Sequence, residues 1–399
     1  MAADVCIHIG LPKTGTTTIQ AALDASGPAL GTCGVLVPGG GHGAHRRATF
    51  DLIGQRVAGE HNVIPGAFDS LMEEVRGYPG SRVVMSEEEL ARARPRHVKR
   101  IVRALEGHEV FVVVSLRDLA RTMTSAWQQS VVMGATTPWC EFAAGVRSLD
   151  EGSPSAGASF RLRHDALRVL DVWERWIPRD RIRVVTVPPP GAPRTLLLER
   201  FAAAAGIPAH AWRTDLAIHN DSLGVAETEL IRRLNPDLTG RLSAGPYRFV
   251  IESGIRDGWQ TSGSRPLRLP REEHGWVRAR STALVEELGV RGYAVYGDLA
   301  DLVPVEPREP ARPLDEVTDG ELLVAAESAL ASLAVAHGRL WRRHRRAFFA
   351  RTGRPATLAE LVGSDGRAAL FGVQRQLLRH SDDHPALARL VRRVTGVRS

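Results

Sequence analysis

Lysine is almost missing from this chain. Of its 52 basic residues only Lys13 and Lys99 are lysine; the rest are arginine. Cysteine is scarce as well. Cys6, Cys33 and Cys140 show neither metal-ligand spacing nor an even count, which argues against a zinc module or a disulfide scaffold and for a reducing compartment. The opening Met1-Ala2-Ala3-Asp4 has no basic stretch leading into a long apolar core, so no secretory signal is expected. No apolar run is read as approaching a membrane span, and no internal repeat is found. These absences lead to the expectation of a cytoplasmic protein.

What is present is ordinary in proportion. The 399 residues are 43% hydrophobic and 24% charged, as in soluble globular proteins, and the length suits one large α/β domain with a smaller helical one. A net charge of +7 and a pI near 10.0 favour an anionic partner. An arginine-rich composition also follows from a G+C-rich genome, which explains the overall charge without explaining each arginine.

Hydrophobic patterning alternates strands with helices. Residues 5–9, 34–37, 82–85, 110–116 and 181–187 read as strands, the fourth being a continuous apolar run of the kind found in a central parallel strand. Helices are expected over 16–25, 45–58, 68–76, from about Glu87, and over 119–133. This pattern implies a parallel sheet covered on both faces. The Gly-, Ser- and Ala-rich stretch 150–159 reads as a mobile loop, and the chain from about 311 onward reads as helical.

One of the two lysines stands in a distinctive place. The first strand runs into Gly10-Leu11-Pro12-Lys13-Thr14-Gly15-Thr16-Thr17-Thr18, a Gly-rich loop opening a helix. Backbone N–H groups and the helix dipole there make an anion cradle, to which threonine hydroxyls add. A Walker A loop has Lys then Ser/Thr after its second glycine. Here Thr16 and Thr17 follow, and the lysine lies three positions earlier. Further along, Arg117 ends the 110–116 strand and Ser125 stands eight positions later in the next helix.

Together these segments resemble the P-loop sulfotransferase family of bacterial type. Leu11-Pro12-Lys13-Thr14-Gly15-Thr16-Thr17 is similar to the family's 5′-phosphosulfate loop, and the Arg117 and Ser125 pair to the motif that holds the donor's 3′-phosphate. The resemblance is specific for about residues 4–130 and diffuse to about 300. It implies a P-loop-type three-layer α/β sandwich with a central parallel sheet, followed by a C-terminal helical extension. The expected division is 1–300 for the P-loop domain and 311–399 for the helical region. It implies a transferase that moves a sulfuryl group from 3′-phosphoadenosine 5′-phosphosulfate (PAPS) to a hydroxyl of a glycan, lipid or secondary metabolite. PAPS would be the co-substrate, with no metal and no nucleic-acid partner. Pro12, Lys13, Thr14, Gly15, Thr16, Thr17, Arg117 and Ser125 would bind the donor, and Lys13 would also stabilise the leaving phosphate. The family's Gly-rich closing segment is not located; the stretch 254–265 is the one substitute.

An acceptor hydroxyl needs a general base. Where the family places one, this chain has Glu87, the first choice, and His45, the second, with His42 nearby. Ser86 as a helix cap with acids in the first turn accounts for the Glu87 region equally well. Trp127 reads as core, while Gln128 reads as a cleft candidate, Arg161 and Arg163 as anion contacts or a solvated face, and 219–223 as a helix cap. The basic run 339–346 with Phe348 and Phe349 reads as a solvated helix face, Trp341 and Phe348 packed inward, ahead of an anionic-lipid surface. Two rival functions stand beside the transferase: another P-loop kinase or NTPase, and a sulfotransferase-like fold that binds without turnover.

Overall fold

The computed structural model describes residues 3–54, 64–148, 156–216, 223–255, 264–305 and 312–354. Six strands form one sheet: β1 (Asp4–His8), β2 (Val35–Leu36), β3 (Arg82–Ser86), β4 (Val110–Leu116), β5 (Ile182–Thr186) and β6 (Ala294–Tyr296), in the order β2-β3-β1-β4-β5-β6. Every neighbouring pair is parallel. The expected α/β architecture with a central parallel sheet and a C-terminal helix is what the chain adopts. β4 is buried at all seven positions, which its unbroken apolar sequence dictates, since a strand covered on both faces has no polar side.

The helices are α1 (Thr16–Thr32), α2 (His42–Ile53), α3 (Ala67–Gly77), α4 (Pro95–Ala104), α5 (Leu119–Val132), α6 (Trp139–Arg147) and α7 (Ala156–His164). There follow α8 (Ala166–Glu174), α9 (Leu196–Ala205), α10 (Val225–Arg241), α11 (Ala244–Arg248), α12 (Arg271–Arg291) and α13 (Asp319–Thr352). The two-residue period of β1 divides the core. Val5 and Ile7 face a cluster with Leu52 of α2, Leu71 of α3, Ile101 of α4 and Trp173 of α8. Cys6 faces the other layer, with Ile19 and Leu23 of α1 and Phe201 of α9.

Three elements differ from the sequence reading. α1 continues through Pro28 to Thr32; burial of Leu30 holds the last turn although proline supplies no N–H to it. Of the expected loop 150–159, residues 156–159 are helix, since α7 begins at Ala156, and 150–155 lie outside the described residues. β6 was not anticipated: three residues, none fully buried, at the sheet edge leave no period to read.

The chain divides into two compact units, Met1–Tyr247 with Arg265–Glu316, and Arg248–Ser264 with Val317–Ser399. The first holds the sheet. In the second, a π-helical turn, Phe249–Ile255, and α13 bury Ile251, Ile255, Ala325 and Ala329. The Thr318 side chain and Glu321 cap the start of α13 reciprocally. By length and composition α13 is apolar enough to cross a membrane, with a window of mean hydropathy 1.2. The expectation that no apolar run approaches a span therefore fails here: Glu327 and His337 break the run in sequence but lie on a single helix.

Candidate active site

The loop 10–15 leaves β1 and is stitched to the neighbouring strand. Leu11 N–H donates to the Ser115 carbonyl at 2.9 Å, and Ser115 N–H to the Gly10 carbonyl at 2.5 Å. Two glycines are required by shape. A Cβ on Gly10 (φ 83) would stand 2.9 Å from Cβ of Glu88, and one on Gly15 (φ 83) would stand 2.4 Å from Leu197 of α9. Lys13 has φ 67 and is the one non-glycine at positive φ among the described residues. That conformation costs an ordinary residue on the order of 1 kcal/mol, so the loop holds its lysine under strain. The buried Thr14 hydroxyl donates to the Leu11 carbonyl at 2.6 Å. α1 then begins at Thr16 from an αL Gly15, with no side-chain cap and no acid in its first turn. An uncapped helix start offers N–H groups and a positive dipole end to an anion. Pro12 and Thr16 are buried beside it and Thr17 is exposed.

Arg117 meets this loop directly. Its Nη1 donates to the Lys13 carbonyl at 3.1 Å, and its Nε is buried without a partner. Burial lowers its pKa to about 10, so it stays cationic at neutral pH. The neighbouring Asp118 does not pair with it: Asp118 caps α5 through Arg121 N–H and pairs with the Arg121 guanidinium. Lys13 Nζ donates to Gln129 Oε1 at 3.3 Å. Ser125 lies four residues before Gln129, on the same stripe of α5; it is half-buried and its hydroxyl makes no hydrogen bond among the described residues. Gln129 carried no motif signal in the sequence.

At the far side of β1, the end of β3 delivers Glu87. Its N–H donates to the His8 carbonyl at 3.0 Å. Glu87, not Ser86, caps the following 3-10 turn, accepting from Glu89 N–H at 3.2 Å. Ser86 ends β3, and its hydroxyl bonds His8 Nδ1. Glu87 is 3% exposed, its Oε2 lacks a hydrogen-bond partner, and His42 Nε2 of α2 stands 3.5 Å from it. Burial, with Glu88 adding to it, pushes the Glu87 carboxyl up to about 8. His42 is lowered by burial, against the pull of Glu88 and Asp24. His45 sits differently: Nε2 bonds the Pro38 carbonyl at 3.0 Å, and Nδ1 accepts from Ser86 N–H at 3.3 Å. Both its nitrogens serve backbone groups, and burial lowers it to about 4. His42, only the neighbour of the second-choice His45 in the sequence reading, is the histidine that faces Glu87.

The remaining candidates resolve individually. Trp127 is fully buried and donates to the Thr137 carbonyl. Gln128 ties α5 to α10 through the Leu223 carbonyl and Thr228, which is a packing task. Arg163 of α7 reaches Glu89 at 3.9 Å. On α13, Trp341 and Phe348 are only half-buried and lie under the guanidinium groups of Arg345 at 4.6 Å and Arg354 at 5.2 Å; they are not packed into a core as expected. The helix after 219–223 is capped by Gly224. Residues 219–222, 256–263 and 355–399 lie outside the described residues.

No protein-family model matches the chain, and no curated relative does. Among solved structures, a sulfotransferase from Alicyclobacillus acidocaldarius is similar at 16% identity, over 60% of this chain and 94% of that one, with a TM-score of 0.37. A likeness at that level carries no argument about activity.

Proposed function

We propose that the chain is a sulfotransferase that moves a sulfuryl group from PAPS to a hydroxyl. The observation that carries this reading is the junction of Arg117 with Lys13: a half-buried guanidinium donates to the carbonyl of the strained loop lysine at 3.1 Å. One anion with charges at two points, a 5′-phosphosulfate and a 3′-phosphate, needs cations held in register at both. The residues fit such a group. The glycine positions admit no side chain, the start of α1 has no cap of its own, and Arg117 Nε is buried without a partner.

In this reading Lys13 and the loop amides hold the 5′-phosphosulfate, and Arg117 with Ser125 holds the 3′-phosphate. PAPS supplies a sulfuryl group on an anionic leaving phosphate. Lys13 brings an ammonium to where that charge grows, the largest contribution expected in group transfers with a loose transition state. Lysine suits this because it is a compact charge on a flexible stem. Glu87 is the proton acceptor; burial keeps its carboxyl protonated to about pH 8, so the base form grows as pH rises toward that value, with His42 Nε2 3.5 Å away as its neighbour. The second reading, binding without turnover, is favoured by the burial of Glu87.

Calorimetric binding of 3′-phosphoadenosine 5′-phosphate against ADP and ATP, without metal, tests the donor site. The 3′-phosphorylated nucleotide is expected to bind at least tenfold more tightly, a preference lost in Arg117→Ala, as charge-assisted hydrogen bonds each contribute about 1.5–3 kcal/mol. Equal binding of ADP, or an Arg117→Ala variant that keeps the preference, overturns the reading.

A further inference from the structure

The second compact unit carries a helix face that packing among the described residues leaves largely uncovered. α13 has 34 residues, so it is about 51 Å long at a rise of about 1.5 Å per residue. Ala325 and Ala329 are its buried residues, against the π-helical turn 249–255. At about 100° per residue, Leu323, Leu330, Trp341 and Phe348 fall on one narrow stripe, about 130° round the helix from those two alanines. All four are only half-buried. Val324, Val335 and Phe349 lie beside the stripe, each more than half exposed.

The charge beside this face has one sign. Asp319, Glu321 and Glu327 are the acids of α13; from Ser328 to Thr352 it carries six arginines and no acid. None of the six has a carboxylate partner among the described residues, and all six are exposed. The helix dipole accounts for Arg351 alone, because its effect fades within the last turn. Arg345 stands 4.6 Å over the Trp341 ring and Arg351 5.8 Å over Phe348. A ring with a guanidinium beside it joins an apolar body to a charged tip, which suits the boundary between acyl chains and headgroups. The apolar half does not make a span: residues 322–338 cover about 25 Å, short of a hydrocarbon core of about 30 Å, and include Glu327. A nucleic acid would neutralise the arginines but leave Val324, Leu330 and Val335 in water. An anionic bilayer meets both the charge and the apolar stripe.

We propose that α13 lies in the plane of an anionic lipid surface, with Trp341, Phe348 and Phe349 set among the headgroups and its arginines against their acidic groups. The inference goes beyond the sulfotransferase reading and does not depend on it, because lipid binding alone decides it.

The test is flotation of the full chain with vesicles of phosphatidylcholine alone and of phosphatidylcholine with about 30% phosphatidylglycerol, at about 0.1 M salt. Partition onto the anionic vesicles is expected to be at least about a hundredfold stronger. The triple variant Arg342→Gln, Arg343→Gln, Arg346→Gln should weaken it about a hundredfold, as each arginine near an anionic leaflet contributes about fivefold. The triple variant Trp341→Ala, Phe348→Ala, Phe349→Ala should weaken it at least about tenfold by removing the apolar part. The replaced side chains are exposed or half-buried, so both variants should keep the urea unfolding midpoint of the parent. Equal binding to the two vesicle types, or an arginine variant that binds like the parent, overturns the proposal. So does an aromatic variant that binds undiminished: charge alone would then be at work, and a DNA duplex that displaces the chain from the vesicles would be the better partner. No binding to either vesicle, with sedimentation showing a dimer that the aromatic variant dissociates, gives the face to a second copy of the chain instead.

Discussion

Lys13 shows what one residue is asked to do. It is the lone lysine of the first ninety-eight residues, and it is held at φ 67, where glycine rests without strain. Substituting it separates strain from charge. Lys13→Gly and Lys13→Ala both delete the ammonium, but only glycine relieves the backbone. The glycine variant is expected to be about 1 kcal/mol more stable than the alanine variant in urea unfolding, with nucleotide binding weakened equally in both. If the alanine variant proves as stable, the loop is not strained at this position. The lysine was legible in the sequence because the composition is so poor in it, and so was the spacing of Arg117 to Ser125. What joins them was not: the bond from Arg117 to a carbonyl belongs to backbone geometry and leaves no mark on residue type. His42 and His45 show the same limit. Three residues apart in one helix, they look equivalent in sequence. Burial and the backbone at Pro38 and Ser86 occupy His45, while His42 is left facing Glu87.

At the scale of elements, the strand ends beneath the site are tied by one imidazole. His8 of β1 bonds the Ser86 hydroxyl of β3 at 2.8 Å and the Ser115 hydroxyl of β4 at 2.8 Å, with all three side chains fully buried. The loop 10–15, Glu87 and Arg117 each begin within two residues of this triad. His8→Ala leaves two buried hydroxyls without partners and a void, so a loss of about 3 kcal/mol is expected in chemical unfolding. The triple variant His8→Leu, Ser86→Ala, Ser115→Ala removes the polar groups together and should lose less than His8→Ala alone. A larger loss in the triple variant would show that packing, not hydrogen bonding, is the function of His8. Elements with strong period or unbroken apolar runs, β1, β3, β4 and α5, were readable within a residue or two. β6 and α7 were not. The edge strand is set by pairing with β5, and α7 by the close approach of Gly157 to α6, where a Cβ would meet the Gly145 carbonyl. Small residues read as loop in sequence and as close contact in three dimensions.

For the whole molecule, the buried titratable groups set opposing slopes of stability with pH. His8, His45 and His164 are lowered from the ordinary 6.5 to about 3, about 4 and about 3, burial being the main cause for each. Below pH 6.5 the unfolded chain takes up protons at these sites and the folded chain does not. Their contribution is therefore fully present above pH 6.5 and is lost as pH falls toward 3. Glu87 acts in the other direction. Its carboxyl is raised from 4.5 to about 8, so between those values the folded chain holds a proton that the unfolded chain has released. That contribution is present below pH 4.5 and declines as pH rises through 8. The two sets cross between about pH 6 and 7, and thermal stability should peak there. Glu87→Gln keeps the size of the side chain and removes the ionisation, so the alkaline decline should flatten while the acid decline stays unchanged. A Glu87→Gln curve parallel to that of the parent across pH 5–9 would mean that Glu87 is ionised in the folded protein at neutral pH. It would then be ready to act as a base at neutral pH.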